Sequence, residues 1–251
     1  MNILEKVLNK IHIAWFDLNM KRKNYVVKFD SITSRFFLPY YKNDYIQHTI
    51  LKTKNYYERE NLDFICKEWK EGIIGNIIQQ SYVLDIGANI GNHSLYYLNE
   101  CNAKGVYCFE PVKDTFRILE KNIVINKLSD RTTLNNVGVG VKTGQAKIGQ
   151  YDINNIGSTT IELSKEGDIK VISIDELDIK GKIGLVKMDV EGFEISALQG
   201  MENTLRKNLP FISIEIRDYN KEEALSILTK FGYKYIELDK QDVYSDYLFY
   251  V

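Results

Sequence analysis

Val83-Leu84-Asp85-Ile86-Gly87-Ala88-Asn89-Ile90-Gly91-Asn92 runs from a short apolar strand, through a glycine turn, into a helix. Gly87 and Gly91 carry no Cβ, so the backbone can turn sharply there and a ligand can come close. In a dinucleotide fingerprint a glycine stands at the position of Asp85, because a pyrophosphate must approach. A carboxylate repels that anion. It suits a ligand bearing positive charge, or hydroxyl and amino donors. As a purely structural residue Asp85 would cap the helix instead.

Working outward, short apolar strands alternate with amphipathic helices from residue 81 to the end of the chain. Strands are expected at 82–86, 105–110, 132–137, 183–190, 211–216, 233–238 and 247–251. Helices fill 91–101, 113–128, 194–207 and 221–231, and extended segments at 146–151 and 169–174 belong to a longer excursion. This alternation predicts an α/β fold whose sheet is mainly parallel and covered on both faces. The last two strands flank the turn-rich stretch 239–246 and should pair antiparallel. Residues 1–80 form an N-terminal cap and 81–251 the ligand-binding domain. The cap begins with apolar positions at helical spacing (Ile3, Leu4, Val7, Leu8, Ile11) and continues with a hairpin over 25–29 and 32–38. Helical stretches follow near 44–54 and 58–71.

Ligands in such sheets bind beyond the carboxyl ends of the strands, which selects the residues to inspect. The second strand ends in Phe109-Glu110-Pro111, about 20 positions past the glycine loop. A carboxylate there can accept hydrogen bonds from both vicinal hydroxyls of a ribose, and Pro111 stops the strand beside it. A ligand with a ribose, a sulfonium, an α-ammonium and no phosphate satisfies Asp85 and Glu110 together, and S-adenosylmethionine has those groups. Cys108, inside the strand, reads as a small core residue.

Several ordered segments resemble the FkbM-type methyltransferases, within the class I superfamily that uses S-adenosylmethionine. They are the glycine loop, Phe109-Glu110-Pro111, Asn155-Ile156-Gly157-Ser158, Ser173-Ile174-Asp175-Glu176-Leu177 and Lys187-Met188-Asp189-Val190-Glu191-Gly192-Phe193-Glu194. The resemblance covers about residues 55–217. It implies a Rossmann-like fold with a seven-stranded, mostly parallel sheet and an antiparallel last strand. It also implies methylation, commonly on oxygen, with S-adenosylhomocysteine as product. Asp85, Gly87, Gly91 and Glu110 match cofactor-binding positions, Gly138 lies where adenine is expected, and Ala88, Asn89, Asn92, Pro111 and Val137 adjoin them.

Asp189 ends its strand, and Glu191, two residues on, faces the same way. Methyl transfer needs an aligned acceptor lone pair and a route for the acceptor proton, which a carboxylate can take as general base. Asp189 is the first candidate and also borders the cofactor; Glu215, ending a neighbouring strand, is the second. Glu194 sits near a helix start, where its charge is favourable for structural reasons. Tyr40, His93, Asn155, Ser158, Glu191 and Arg217 are candidates for the acceptor. Asp189, Glu191 and Glu215 could ligate a hard cation, but nothing in their spacing demands one, and no metal is expected.

The remaining features bound the function. A formal net charge of -1 gives no basic surface for nucleic acid. Three cysteines, Cys66, Cys101 and Cys108, form no CxxC and suit a reducing compartment. No apolar run approaches the ~20 residues that span a bilayer, so a cytoplasmic enzyme without membrane insertion is expected, and a homo-oligomer is compatible. The tyrosine-rich cap and the polar loop 155–160 point to a carbohydrate hydroxyl, on a nucleotide-linked sugar or a surface glycan, as acceptor. The alternatives are O- or N-methylation of another small metabolite such as a polyketide, a nicotinamide-dependent oxidoreductase, and a non-catalytic scaffold.

Overall fold

The computed structural model of the chain describes residues 25–150 and 159–251. The leading helix expected within 1–11, and Asn155 and Ser158 of the polar loop, fall outside the described residues.

Val26–Lys28 (β1) and Arg35–Phe37 (β2) pair antiparallel as the expected hairpin. Tyr45–Thr53 (α1) starts at Asp44, whose carboxylate accepts the N–H of Gln47 at 2.8 Å. The stretch expected to be one helix over 58–71 is a succession: Arg59–Asp63 (α2), a π-helical turn at Phe64–Glu68 and a 3-10 turn at Trp69–Gly72. Ile73–Ile78 (α3) follows, a helix that the sequence pattern did not separate. Gly72, at φ 75, allows the reversal between the 3-10 turn and α3.

The strand–helix alternation then runs through Tyr82–Ile86 (β3), Asn92–Asn99 (α4), Gly105–Phe109 (β4), Lys113–Ile125 (α5) and Thr132–Asn135 (β5). The excursion folds into a small four-stranded sheet of Gly138–Val139 (β6), Gly144–Ile148 (β7), Ile161–Leu163 (β8) and Ile169–Ile172 (β9). Ile183–Met188 (β10), Glu194–Gln199 (α6), Glu202–Asn208 (α7), Phe211–Arg217 (β11), Lys221–Lys230 (α8), Lys234–Lys240 (β12) and Tyr244–Tyr250 (β13) complete the chain. The single helix expected over 194–207 is broken in two. The Asp175 carboxylate accepts the N–H groups of Asn203 and Thr204, both at 2.8 Å, and so caps a new helix. A Cβ on Gly200 would also collide with the Gly140 carbonyl.

The main sheet has seven strands in the order β12-β13-β11-β10-β3-β4-β5. Every pairing is parallel except those of β13, which runs antiparallel to both β11 and β12. Every residue of β10 is buried, as a central parallel strand covered on both faces requires. Alternate side chains feed two cores. Val83 and Leu185 join Phe36, Phe37, Ile50, Tyr56 and Leu95 on one face. Leu84 and Val186 join Leu198, Leu205 and Leu228 on the other. The N-terminal segment therefore shares a core with α4 and the sheet, each buried Leu, Ile or Phe contributing ~1.5–3 kcal/mol. Asn122 of α5 ties that segment to the glycine loop, accepting from Phe37 N–H at 2.6 Å and donating to Ile90 O at 2.8 Å.

From β3 the chain winds outward through β4 and β5, and from β10 through β11 in the other direction. The switch point therefore lies between β3 and β10, whose ends carry Gly87 and Asp189.

Candidate active site

At that switch point lies a cleft that encloses about 590 Å3 of space and opens to solvent. Gly87, Asn89, Glu110, Pro111, Val137, Gly138, Asp189 and Glu191 line it together with Phe109, Val139, Ile161 and Phe193. One glycine is there of necessity, and a second is closely packed. Gly87 has φ 78, and a Cβ would coincide with the Asp189 carbonyl oxygen. At Gly138 a Cβ would come within 2.8 Å of Ile161 Cδ1.

Glu110 is 6% exposed. One carboxylate oxygen accepts the Asn89 N–H at 2.9 Å and the other the Val112 N–H at 2.8 Å. A carboxylate offers about four acceptor positions, so two remain for a ligand. Burial pushes its pKa up to about 7, against the pull of the two N–H groups and of Lys187. The Thr115 hydroxyl, also on the wall, is buried without a partner. No lysine or arginine is among the described residues lining the cleft. The cleft therefore favours a ligand with hydroxyl donors and positive charge, and opposes a pyrophosphate.

The other expected cofactor residues shape the loop rather than the wall. Asp85 is fully buried and accepts from the Ser94 hydroxyl, with Lys187 Nζ 4.0 Å from its second oxygen. Ala88 is buried, and Gly91, at φ 86, begins α4 and packs on Leu119. Asn92 exchanges two hydrogen bonds with the Tyr57 backbone, at 2.9 and 3.0 Å.

Lys187 went unassigned in the sequence reading, and its side chain is only 8% exposed. It donates to Gly87 O at 3.1 Å and to Asp189 Oδ2 at 3.4 Å. Burial works against its charge, but Asp189, Asp85 and Glu58 outweigh it and hold the ammonium above its ordinary pKa. One cation thus joins the ends of β3 and β10 and keeps an opposite charge beside Asp189. Glu215 is placed differently. Burial, with Asp189 and Asp246 beside it, raises its carboxyl well above the usual carboxylate range.

Asp189, Glu191 and Glu215 approach within 4.8 Å of one another. Arg217 bonds Glu191 and lies 3.8 Å from Glu215, while its guanidinium sits over the Tyr244 ring at 5.3 Å. Of the remaining acceptor candidates, His93 pairs with Glu58 at 3.2 Å. Tyr40 sits half-buried in the N-terminal core, with its N–H donated to Gln47 at 2.8 Å. Glu194 is fully buried and accepts from Gly192 N–H at 2.7 Å and from the Asn220 amide, in keeping with a structural role.

Residues 85–235 match the family described as methyltransferase FkbM domain. AglP of Haloferax volcanii, a hexuronic acid methyltransferase, is 35% identical over 139 residues, covering 53% of this chain and 54% of that protein. Methyltransferase 1 of Beauveria bassiana is 22% identical over 163 residues, covering 55% of this chain and 65% of that protein. The chain thus spans about half to two thirds of the length of these curated relatives. The crystal structure of methyltransferase FkbM from Methylobacillus flagellatus aligns with 96% of this chain and 59% of its own, with a TM-score of 0.52 at 18% identity, which supports the fold.

Proposed function

This chain belongs to the methyltransferase FkbM domain family, and on that premise we propose that it transfers a methyl group from S-adenosylmethionine to an oxygen of a sugar. The observation that carries the cofactor assignment is Glu110, a buried carboxylate anchored by two backbone N–H groups with acceptor capacity still facing the cleft. When bound, S-adenosylmethionine supplies an electrophilic methyl group on a positively charged sulfur. Glu110 accepts from its ribose hydroxyls, and Phe109, Val137 and Val139 give the adenine an apolar slot. Asp189, which lines the same cleft, would take the proton that the acceptor oxygen loses as it bonds to the methyl carbon and the carbon–sulfur bond breaks, leaving S-adenosylhomocysteine. Lys187 orients that carboxylate through its contact at 3.4 Å. Glu215, protonated near neutrality, is a hydrogen-bond donor to the acceptor rather than the base.

The similarity to a hexuronic acid methyltransferase supports a sugar acceptor, and the hydroxyl and amide groups around the strand ends agree with it. The test is a panel of nucleotide-linked hexuronic acids and hexoses, oligosaccharides, polyketide alcohols and amines, with S-adenosylhomocysteine release measured for each. Turnover on an amine or polyketide and on no sugar would overturn the acceptor assignment.

Two results are expected of Glu110. Glu110→Ala should weaken S-adenosylhomocysteine binding by about 1–3 kcal/mol, since two hydroxyls lose a buried partner. Calorimetry on the folded variant checks this, and unchanged affinity removes Glu110 from the site. The second concerns pH. The folded pKa of Glu110, about 7, lies above the ordinary value, so the ligand-free fold holds this proton more tightly than the unfolded chain does. Its contribution to stability is complete below about pH 4 and declines as pH rises through 7. Cofactor affinity should move the opposite way and strengthen as the carboxylate ionises. Glu110→Gln should flatten both trends, and a wild-type affinity that is level from pH 5 to 9 would contradict the assignment.

A further inference from the structure

Beside the strand ends an open groove of about 900 Å3 is lined by Gln150, Thr160, Glu191, Arg217, Asp218, Tyr219 and Val243. Glu191 also lines the cofactor cleft, so groove and cleft meet at the strand end that carries Asp189. Any acceptor reaching the methyl group past Asp189 has this groove to lie in.

The groove presents an aromatic face next to a branched aliphatic one: Tyr219 is 76% exposed and Val243 55%. A single exposed apolar residue is ordinary. Here two are held side by side by a turn fixed from both ends. Asp218 N–H donates to Val243 O at 3.1 Å, and the Asn220 amide donates to Gly192 O at 3.1 Å and to the buried Glu194. The Tyr219 hydroxyl occupies the space that a Cβ on Gly192 would need, so the ring is set directly against the loop after Asp189.

The rest of the wall is polar, with its inner charges paired. Arg217 is engaged by Glu191 and Glu215. The Thr160 hydroxyl accepts the Gln150 N–H at 2.8 Å and can still donate, and the Gln150 amide and the Asp218 carboxylate add polar groups to the same wall. A pyranose ring has this same division, with one face of C–H groups and an edge of hydroxyls. We infer that the groove is the acceptor subsite, and that Tyr219 is the platform on which a pyranose ring of the acceptor stacks. The inference rests on the sugar-methyltransferase reading above. Of the N-terminal tyrosines, Tyr56 is buried, Tyr25, Tyr40, Tyr41 and Tyr57 pack against the core, and Tyr45, though 58% exposed, stands edge-on to Tyr57 and lines neither the cleft nor the groove.

The test uses the full chain with UDP-glucuronic acid, UDP-glucose and a glucuronate-containing disaccharide as probes, and catechol as a flat aromatic alcohol. For the sugar turned over, Tyr219→Ala should raise the acceptor KM about tenfold, equivalent to ~1.4 kcal/mol. The KM for S-adenosylmethionine and the melting temperature should stay constant, and Tyr219→Phe should recover most of the lost affinity. If the wild type methylates a sugar and Tyr219→Ala leaves its KM unchanged, the platform is overturned and the sugar reading stands. If the wild type methylates none of the sugars, both fall together. Turnover of catechol alone, with a KM sensitive to Tyr219→Ala, would give the groove to an aromatic acceptor instead.

Discussion

Asp189→Asn should lower kcat by about 10²–10⁴-fold, the usual contribution of a positioned general base, with a much smaller change in S-adenosylhomocysteine affinity. Asparagine keeps the size of the side chain and its contact with Lys187 Nζ at 3.4 Å through an amide oxygen, so the loop geometry has a reason to persist. What is lost is the ability to take the acceptor proton. Glu215→Gln separates the two candidates. Its carboxyl already carries a proton near neutrality because of burial and its acidic neighbours Asp189 and Asp246. Glutamine reproduces its donor, so kcat should fall far less than in Asp189→Asn. Rapid-quench measurement of a single turnover checks the chemical step directly. A large loss in Glu215→Gln with near-normal Asp189→Asn would transfer the base to Glu215. Activity in both would leave solvent to take the proton and positioning to supply the acceleration.

The strand ends were legible in the sequence because parallel strands here are short apolar runs that each stop at a polar or glycine residue. Asp85-Ile86-Gly87, Phe109-Glu110 and Met188-Asp189 can be placed at one edge of a sheet from the chain alone. The antiparallel β12–β13 pair was legible for a similar reason, a turn-rich stretch between two apolar segments. The two breaks were not. Nothing local in Glu194–Gln199 and Glu202–Asn208 announces that Asp175, far off in sequence, will cap the second of them. The π-helical and 3-10 turns after Asp63 likewise depend on packing around Gly72 and Gly75, where a Cβ would press on the Lys67 and Cys66 carbonyls.

Residue placement within the site divides along the same line. Sequence spacing could bring Glu110 and Asp189 to a common edge, but could not tell a side chain facing the cleft from one facing the core. Asp85 and Asp189 look alike in the chain, yet Asp85 lies a step lower on its strand, level with Lys187, and faces Ser94 and the interior. Tyr219 had no signal of its own, since it sits in a short turn after β11 and only the folded chain brings Gly192 and Val243 beside it. Lys187 did carry a signal. It is the one charge in the otherwise apolar run Ile183–Met188, and a lysine buried in a central strand must meet opposite charge.

That lysine sets the largest expected effect on stability. Lys187→Ala should destabilise the fold by about 3–5 kcal/mol, because removing one partner leaves a buried charge without compensation. Asp85, fully buried, would keep only the Ser94 hydroxyl, and the Gly87 carbonyl would lose its donor. The double substitution Lys187→Met with Asp85→Asn removes both charges at similar volume and should recover much of the loss. This contrast distinguishes an uncompensated charge from a simple cavity. The pH dependence has a defined sign. Neighbouring carboxylates raise the folded pKa of Lys187 above its ordinary value, even though burial opposes them. Its contribution is therefore complete below about pH 10 and is lost as pH rises through the folded pKa. Urea unfolding of the wild type and both variants at pH 7 supplies the comparison. A cost for Lys187→Ala under about 1 kcal/mol, typical of an exposed ion pair, would mean that water reaches Asp85 and that the charge bridge between β3 and β10 does not hold the site.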